Sequence, residues 1–164
     1  MKNILVPIDF SEHSNYAVEV AVDLAKKNGA TILLLHCVEL PRRFVTESTS
    51  ALPEELFFMR EAGLNVKKLS EELKSRGVAV KTVVETTALT YAVKHLLEDE
   101  SVDFIVMGST GATGSKELFL GSNAEKIVRT SSVPVLVIKD KTDISKVKKL
   151  IFACDFSQKY VEAF

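Results

Sequence analysis

The residues best placed to do chemistry in this chain are glycines. Gly108, Gly111, Gly121 and Ser122 follow the spacing Gly-x2-Gly-x9-Gly-Ser, and an apolar run of strand type, Phe104 to Met107, leads into the first of them. Glycine at the carboxyl end of a strand lets backbone N–H groups approach a ligand, because no Cβ stands in the way. A helical pattern then resumes at Gly121-Ser122-Asn123, offering unpaired N–H donors and the positive end of a helix dipole. That combination suits a phosphate group.

A second candidate is Asp9, which follows the apolar run Ile4–Ile8 with its internal Pro7. At the carboxyl end of a strand its carboxylate can accept hydrogen bonds from sugar or amine donors. Each residue also has a plainer reading. Asp9 can simply cap the helix after it, and Ser122-x-x-Glu125 has the form of a capping box, a role compatible with binding phosphate. His36, inside an apolar strand, reads as a satisfied core histidine. Lys116 reads as a solvated lysine, and His13 and His95 as surface or half-buried helix positions. Cys37 and Cys154 lie in apolar runs as buried reduced thiols; two cysteines are too few for a disulfide framework, and no metal-ligand spacing is present.

The elements that must position these residues alternate in type. Ile4–Ile8 and Thr31–Val38 are nearly continuous apolar runs, as expected of strands covered on both faces. Between them Ala17, Val20, Ala21, Leu24 and Ala25 keep helical spacing, with Ser11 or Ser14 as N-cap and Gly29 as the stop. Residues 39–52 have no period and read as a loop. A long helix starts at Pro53, with Leu56, Met59, Ala62 or Gly63, Val66, Leu69 and Leu73 on its apolar face, and Gly77 ends it. Val78–Val84 alternates more than the other strands, which places it at a sheet edge. Thr86 or Thr87 caps a third helix, buried through Leu89, Ala92, Val93, Leu96 and Leu97. Strand Phe104–Met107, helix Ser122–Ser131 and strand Val133–Ile138 complete the pattern. Strand–helix alternation predicts parallel strands joined by helical crossovers: a three-layer α/β/α sandwich around an open, Rossmann-like, five-stranded parallel sheet. Ligands of such sheets bind outside the carboxyl ends of the strands, where Asp9 and the Gly108 turn both lie.

Bulk composition narrows the function. With 164 residues the chain holds one full domain and not comfortably two. Its 21 basic and 22 acidic residues give a formal net charge of −1, and the basic residues are scattered apart from the short Lys146–Lys149 region, which argues against a nucleic-acid footprint. No apolar stretch approaches a membrane span, and Met1-Lys2-Asn3-Ile4 enters a strand directly without a signal-peptide pattern. The expectation is a cytoplasmic protein with no nucleic-acid or membrane partner.

The tail repeats the beginning. Lys148, Asp155, Phe156 and Ser157 stand at a constant offset of 146 from Lys2, Asp9, Phe10 and Ser11, and the apolar positions between them match. The domain therefore covers 1–139 and a polar linker 140–147, and 148–164 is expected to be the truncated start of a second copy, first strand and helix start.

Taken in order, Ile4-Leu5-Val6-Pro7-Ile8-Asp9-Phe10-Ser11, Leu34-Leu35-His36-Cys37-Val38, Met107-Gly108-Ser109-Thr110-Gly111, Leu120-Gly121-Ser122 and Pro134-Val135-Leu136-Val137 resemble the universal stress protein family over residues 2–139. The resemblance implies strand order 3-2-1-4-5 and dimers formed along the fifth strand, here 133–138, either a homodimer or an intramolecular pseudo-dimer. It implies binding of ATP, alone or with Mg2+, since the glycine spacing marks the ATP-binding members. The adenosine end would lie against Pro7, Ile8, Asp9 and the backbone near Cys37. Met107, Gly108 and Gly111 would line the ribose and phosphate path, and Gly121, Ser122 and Asn123 would donate to the phosphates. The chain departs from the family at Glu85-Thr86-Thr87, where many members carry a glycine, at Cys37, usually aliphatic, and at Ala153, where the first copy has Pro7.

The function expected is an ATP-binding regulatory module of the stress response, with no catalytic residue. The alternatives are a slow ATP-hydrolysing enzyme and a stress protein that acts through protein contacts alone. A dedicated ATPase is disfavoured, because no Gly-Lys-Ser/Thr element and no base beside the glycine loop is present. A phosphoacceptor domain lacks the aspartate that should end its third strand, and a dinucleotide fold lacks Gly-x-Gly-x-x-Gly after the first.

Overall fold

Apolar runs of five to seven residues are too short for buried helices, and they become the inner strands. The computed structural model describes residues 1–38, 52–110, 120–149 and 151, with backbone alone for 52–55. Its elements are β1 (Asn3–Ile8), α1 (Glu12–Asn28), β2 (Thr31–Cys37), α2 (Leu52–Ser75), β3 (Ala79–Glu85), α3 (Leu89–Asp99), β4 (Phe104–Gly108), α4 (Ser122–Thr130) and β5 (Val135–Ile138). All pairings are parallel, in the order β3-β2-β1-β4-β5. The alternating β3 takes an edge, as its pattern requires.

Side-chain alternation divides the core between the two sheet faces. Ile4, Val6, Ile32 and Leu34 pack with Val20, Ala21, Val66 and Leu73 of α1 and α2. Leu5, Leu33, Leu35, Ile105 and Met107 pack with Ala92, Val93, Ala124 and Ile127 of α3 and α4. Each fully buried leucine or isoleucine here contributes about 1.5–3 kcal/mol through removal from water. The sheet thus anchors helices on both faces and leaves its carboxyl edge for loops.

The ladder on the two sides of β1 ends at different places. Toward β2 the register runs from Asn3↔Thr31 to Ile8↔His36, whereas toward β4 it covers Ile4↔Phe104 and Leu5↔Ile105. The Asn3 carbonyl accepts from the Asp103 N–H, so alternate residues Asn3, Leu5 and Pro7 turn their backbone polar groups toward β4. Pro7 has no N–H to give at the next rung, and the pairing stops. The ladder between β1 and β4 therefore ends short of the carboxyl edge. The junction of these two strands is also the point where strand order reverses, and such a point accommodates ligands.

Several boundaries differ from expectation for identifiable reasons. The α3 N-cap is Ala88, not Thr86 or Thr87, and no side chain caps that helix. Leu56 is 66% exposed, although its spacing placed it on the buried face of α2. A helix of 24 residues is about 36 Å long. The seven-residue strands beneath it reach only about 23 Å, so the start of α2 overshoots the sheet. Met59 is half-buried, and full burial begins at Ala62, Val66 and Leu73. β2 ends at Cys37, and β5 begins at Val135; Pro134 still contributes its carbonyl to the Ile105 N–H. Within the linker stretch, Ile144–Lys146 forms one 3-10 turn and Ile144 packs against the core. Leu52, expected in the loop 39–52, already belongs to α2, and residues 39–51, Gly111, Lys116, Cys154 and the repeated Asp155-Phe156-Ser157 lie outside the described residues.

Candidate functional site

Three strand ends and one helix start meet at the carboxyl edge. Pro7 and Ile8 finish β1 and Asp9 follows it, Cys37 finishes β2, Met107 and Gly108 finish β4, and Gly121 leads into Ser122 and Asn123 of α4. Ile8 and Met107 are buried in the two core clusters, so their side chains are engaged in packing and any ligand meets their backbone. Cys37 is half-buried rather than buried, packed beside the α3–α4 core cluster.

Polar contacts fix the turn after β1 at Asp9 and Ser11. The Asp9 Oδ1 accepts from the Ser11 N–H at 3.0 Å, and Ser11 caps α1 by accepting from the Ser14 N–H at 3.2 Å. The cap of α1 is therefore Ser11, with Asp9 two residues upstream. Between them Phe10 has φ 61°, the one described non-glycine residue in the left-handed region. That conformation costs about 1–2 kcal/mol for an L-residue with a Cβ. It lays the Phe10 ring against His36, centroids 5.1 Å apart. His36 Nδ1 lies 2.8 Å from the Ile8 carbonyl, which can only accept, so Nδ1 carries the proton. His36 is thus a satisfied histidine, and it holds the last carbonyl of β1 just before Asp9.

The segment Gly108–Thr110 is clamped from three directions. A Cβ on Gly108 would lie 2.8 Å from the His13 carbonyl carbon and 2.9 Å from the Ser14 nitrogen, so only glycine lets β4 end against the first turn of α1. The Ser109 N–H donates to the Ile138 carbonyl at 2.8 Å, and the Ser109 carbonyl accepts from the Gly121 N–H at 2.8 Å. A Cβ on Gly121 would lie 3.0 Å from that same carbonyl oxygen and 3.3 Å from the Thr110 Cα. Thr110 Oγ1 and His13 Nδ1, 3.0 Å apart, add a side-chain link. Gly108 and Gly121 therefore serve close contacts within the protein, which the expectation of ligand approach alone had not included.

The first turn of α4 is the site's main source of donors. Gly121 is the N-cap residue and no side chain caps it, so Ser122 is the first helical residue and not the cap of a capping box. The first intrahelical bond runs from the Glu125 N–H to the Gly121 carbonyl at 2.9 Å. The N–H groups of Ser122, Asn123 and Ala124 precede it, and the helix offers them no acceptor. Ser122 and Asn123 are exposed. Glu125 pairs with Arg129 at 3.0 Å instead of reaching back to the cap.

Carboxylates with displaced titration lie elsewhere. Hydrogen bonding to Arg76 lowers Glu19, and the backbone N–H groups of Asn3 and Lys2 lower Asp103 at the opposite edge of the sheet. Among the described residues no group of three His, Cys, Asp or Glu side chains is placed to hold a metal ion, and no helix is long and apolar enough to cross a membrane. Sequence reasoning missed the Phe10–His36 contact and the His13–Thr110 link. The signal for the first was an aromatic directly after Asp9 with a histidine at the matching rung of β2; nothing in the spacing pointed to the second.

Known proteins share both the sequence and this architecture. The sequence profile of the Universal stress protein family matches residues 1–139. The universal stress protein MJ0577 of Methanocaldococcus jannaschii is 31% identical over 155 residues, covering 85% of this chain and 96% of that relative. A solved structure of MJ0577 superimposes with a TM-score of 0.77, covering 87% of this chain and 98% of that one. Two more distant solved structures share the fold: a universal stress protein in complex with cAMP, at TM-score 0.57 and 20% identity, and one from Archaeoglobus fulgidus in complex with dAMP, at 0.56 and 16%. The chain belongs to the universal stress protein family.

Proposed function

We propose that this chain is a nucleotide-binding regulatory module whose ligand is ATP, with Mg2+ accompanying the phosphates. The observation that carries the reading is the uncapped start of α4. It presents the N–H groups of Ser122, Asn123 and Ala124, beside Gly108–Thr110, at an edge where the β1–β4 ladder has already ended. Anions bind such helix starts, and the point where strand order reverses between β1 and β4 supplies the wall a nucleoside needs. Pro7, Ile8, Asp9 and Cys37 take the adenosine end; Met107, Gly108 and Gly111 line the ribose and phosphate path; Gly121, Ser122 and Asn123 hold the phosphates. Family members solved with cAMP and dAMP support the adenine part of this assignment. The triphosphate rests on the glycine spacing.

The module holds nucleotide and acts through occupancy. Hydrolysis, if it occurs, is slow, since the sequence has no lysine-bearing phosphate loop of the Gly-Lys-Ser/Thr type. We also propose that β5, an edge strand paired with β4, forms the dimer contact. Residues 148–164 are assigned to the start of a second copy. That assignment rests on the internal repeat alone, since MJ0577 is matched over 96% of its length and shows no tandem. Calorimetric titration of ATP, AMP and adenosine into the native chain tests the reading. It requires ATP to bind at least as tightly as AMP and detectably tighter than adenosine; equal affinity for all three removes the phosphate site.

A further inference from the structure

The His13–Thr110 pair has a chemistry that the backbone cradle does not. His13 lies in the first turn of α1 and Thr110 at the neck of the glycine loop, both half-buried, with Nδ1 and Oγ1 3.0 Å apart. Their positions are held from both sides. Gly108 lies so close to the His13 backbone, and Gly121 to the Thr110 Cα, that a Cβ on either would crowd them. A hydroxyl has one hydrogen to donate, and an imidazole nitrogen is either donor or acceptor according to its proton. When His13 Nδ1 is bare, Thr110 must donate to it and its hydrogen is engaged. When the imidazole is protonated, Nδ1–H donates to the Thr110 oxygen, and the hydroxyl hydrogen is released toward another acceptor. The hydrogen bond survives in both states; its direction reverses.

We infer that His13 and Thr110 form a proton-dependent donor for the phosphate chain, so that acidification tightens binding of phosphorylated nucleotide and leaves the nucleoside unaffected. This rests on the nucleotide reading above. An imidazolium there would add a positive charge next to the start of the glycine loop, and the freed hydroxyl would add one donor. Among the described residues the ionisable groups around the pair are few. On α1, Glu12 accepts from the Tyr16 hydroxyl, and the Tyr16 ring stands edge-on to His13 at 6.4 Å. Beyond β5, Asp140 acts on Tyr16. Ser14, Gly108, Ser109 and Gly121 bring no ionisable side chain.

The test is calorimetric affinity for ATP and for adenosine at about pH 5.5 and about 7.5, for the full chain and for His13→Gln and Thr110→Val. The last ionisation of a phosphate monoester falls in the same window, near pH 6, so the quantity read is the ratio of wild type to variant. That ratio should rise about tenfold for ATP on acidification, the effect of one hydrogen bond to a charged oxygen, and stay flat for adenosine. An ATP ratio independent of pH, or an adenosine ratio that follows it, overturns the inference in favour of a purely structural link. Failure of ATP to bind wild type at either pH overturns the nucleotide reading itself and this role with it. Should the variants not fold, ring nitrogen NMR of wild type decides. A bare His13 Nδ1 at about pH 8 supports the switch, and a protonated one refutes it.

Discussion

Replacing Gly108 by alanine should loosen the junction on which the site is built. The added Cβ would stand 2.8 Å from the His13 carbonyl carbon, 2.9 Å from the Ser14 nitrogen and 3.0 Å from the His13 Cβ. The first two are backbone atoms of a helix whose buried face includes Ala17, Val18 and Ala21, so no rotamer change relieves the contact. Overpacking of this kind costs about 1–3 kcal/mol. Alanine also restricts the unfolded chain, which returns about 0.4–1 kcal/mol. Clash wins, with a net loss of about 1–2 kcal/mol, or about 2–8 °C in Tm at this size. Gly29→Ala separates the causes, because Gly29 has φ 64° and nothing within 4 Å of its Cβ, so strain without clash operates there. Differential scanning calorimetry and an ATP titration read both consequences, and Gly108→Ala should weaken ATP as well as lower Tm. A Tm within about 1 °C of wild type would show that α1 does not bear on the end of β4 and would refute the reasoning.

Three further outcomes follow from the helix ends and one ion pair. Ser11→Ala removes the oxygen that accepts from the Ser14 N–H and should cost about 1 kcal/mol in chemical denaturation. Ala88→Ser should do the reverse, adding about 1 kcal/mol by supplying α3 with the cap it lacks at an exposed, extended N-cap. The Arg76 guanidinium holds Glu19 through two contacts of 2.7 Å and lowers its titration. A carboxylate lowered on folding stabilises above its unfolded value and loses that contribution as pH falls through the folded one. Stability should therefore drop as pH falls below about 4.3. In Arg76→Lys that part should shrink by less than about 1 kcal/mol, since the pair is partly exposed. Urea melts at pH 7 and at a pH below the carboxylate range measure it.

How much of this was legible in the sequence depends on the kind of force involved. Burial writes itself as periodicity, so Ile4, Ile32, Leu34 and Ile105 announced inner strands, and the mixed Lys81-Thr82 stretch announced an edge. Order among strands leaves no local trace and came through the family resemblance. Helix starts failed where a backbone contact outweighed a side-chain preference: Gly121, not Ser122, is the cap, because its N–H bonds the Ser109 carbonyl and a Cβ there would collide with it. Thr86 and Thr87 have the right side chains to cap but precede the turn at Ala88. Leu56 had the right period but lies past the end of the sheet. The glycine loop was found by spacing, yet the partners that pin it, His13, Ser14 and Ile138, come from distant segments, and proximity across the fold is not encoded in spacing.

The central claim is that the start of α4 receives phosphate. The most direct measurement is an amide NMR titration of the native chain with ATP, following Ser122, Asn123 and Ala124, with Gly121→Val in parallel. A valine there brings its Cβ within 3.0 Å of the Ser109 carbonyl oxygen and should push the helix start out of place. The account predicts large saturable shifts at those three amides and at Thr110 in wild type, with adenosine leaving them nearly still and the variant losing them. Shifts confined to other residues, or the same response to adenosine and in Gly121→Val, would contradict it.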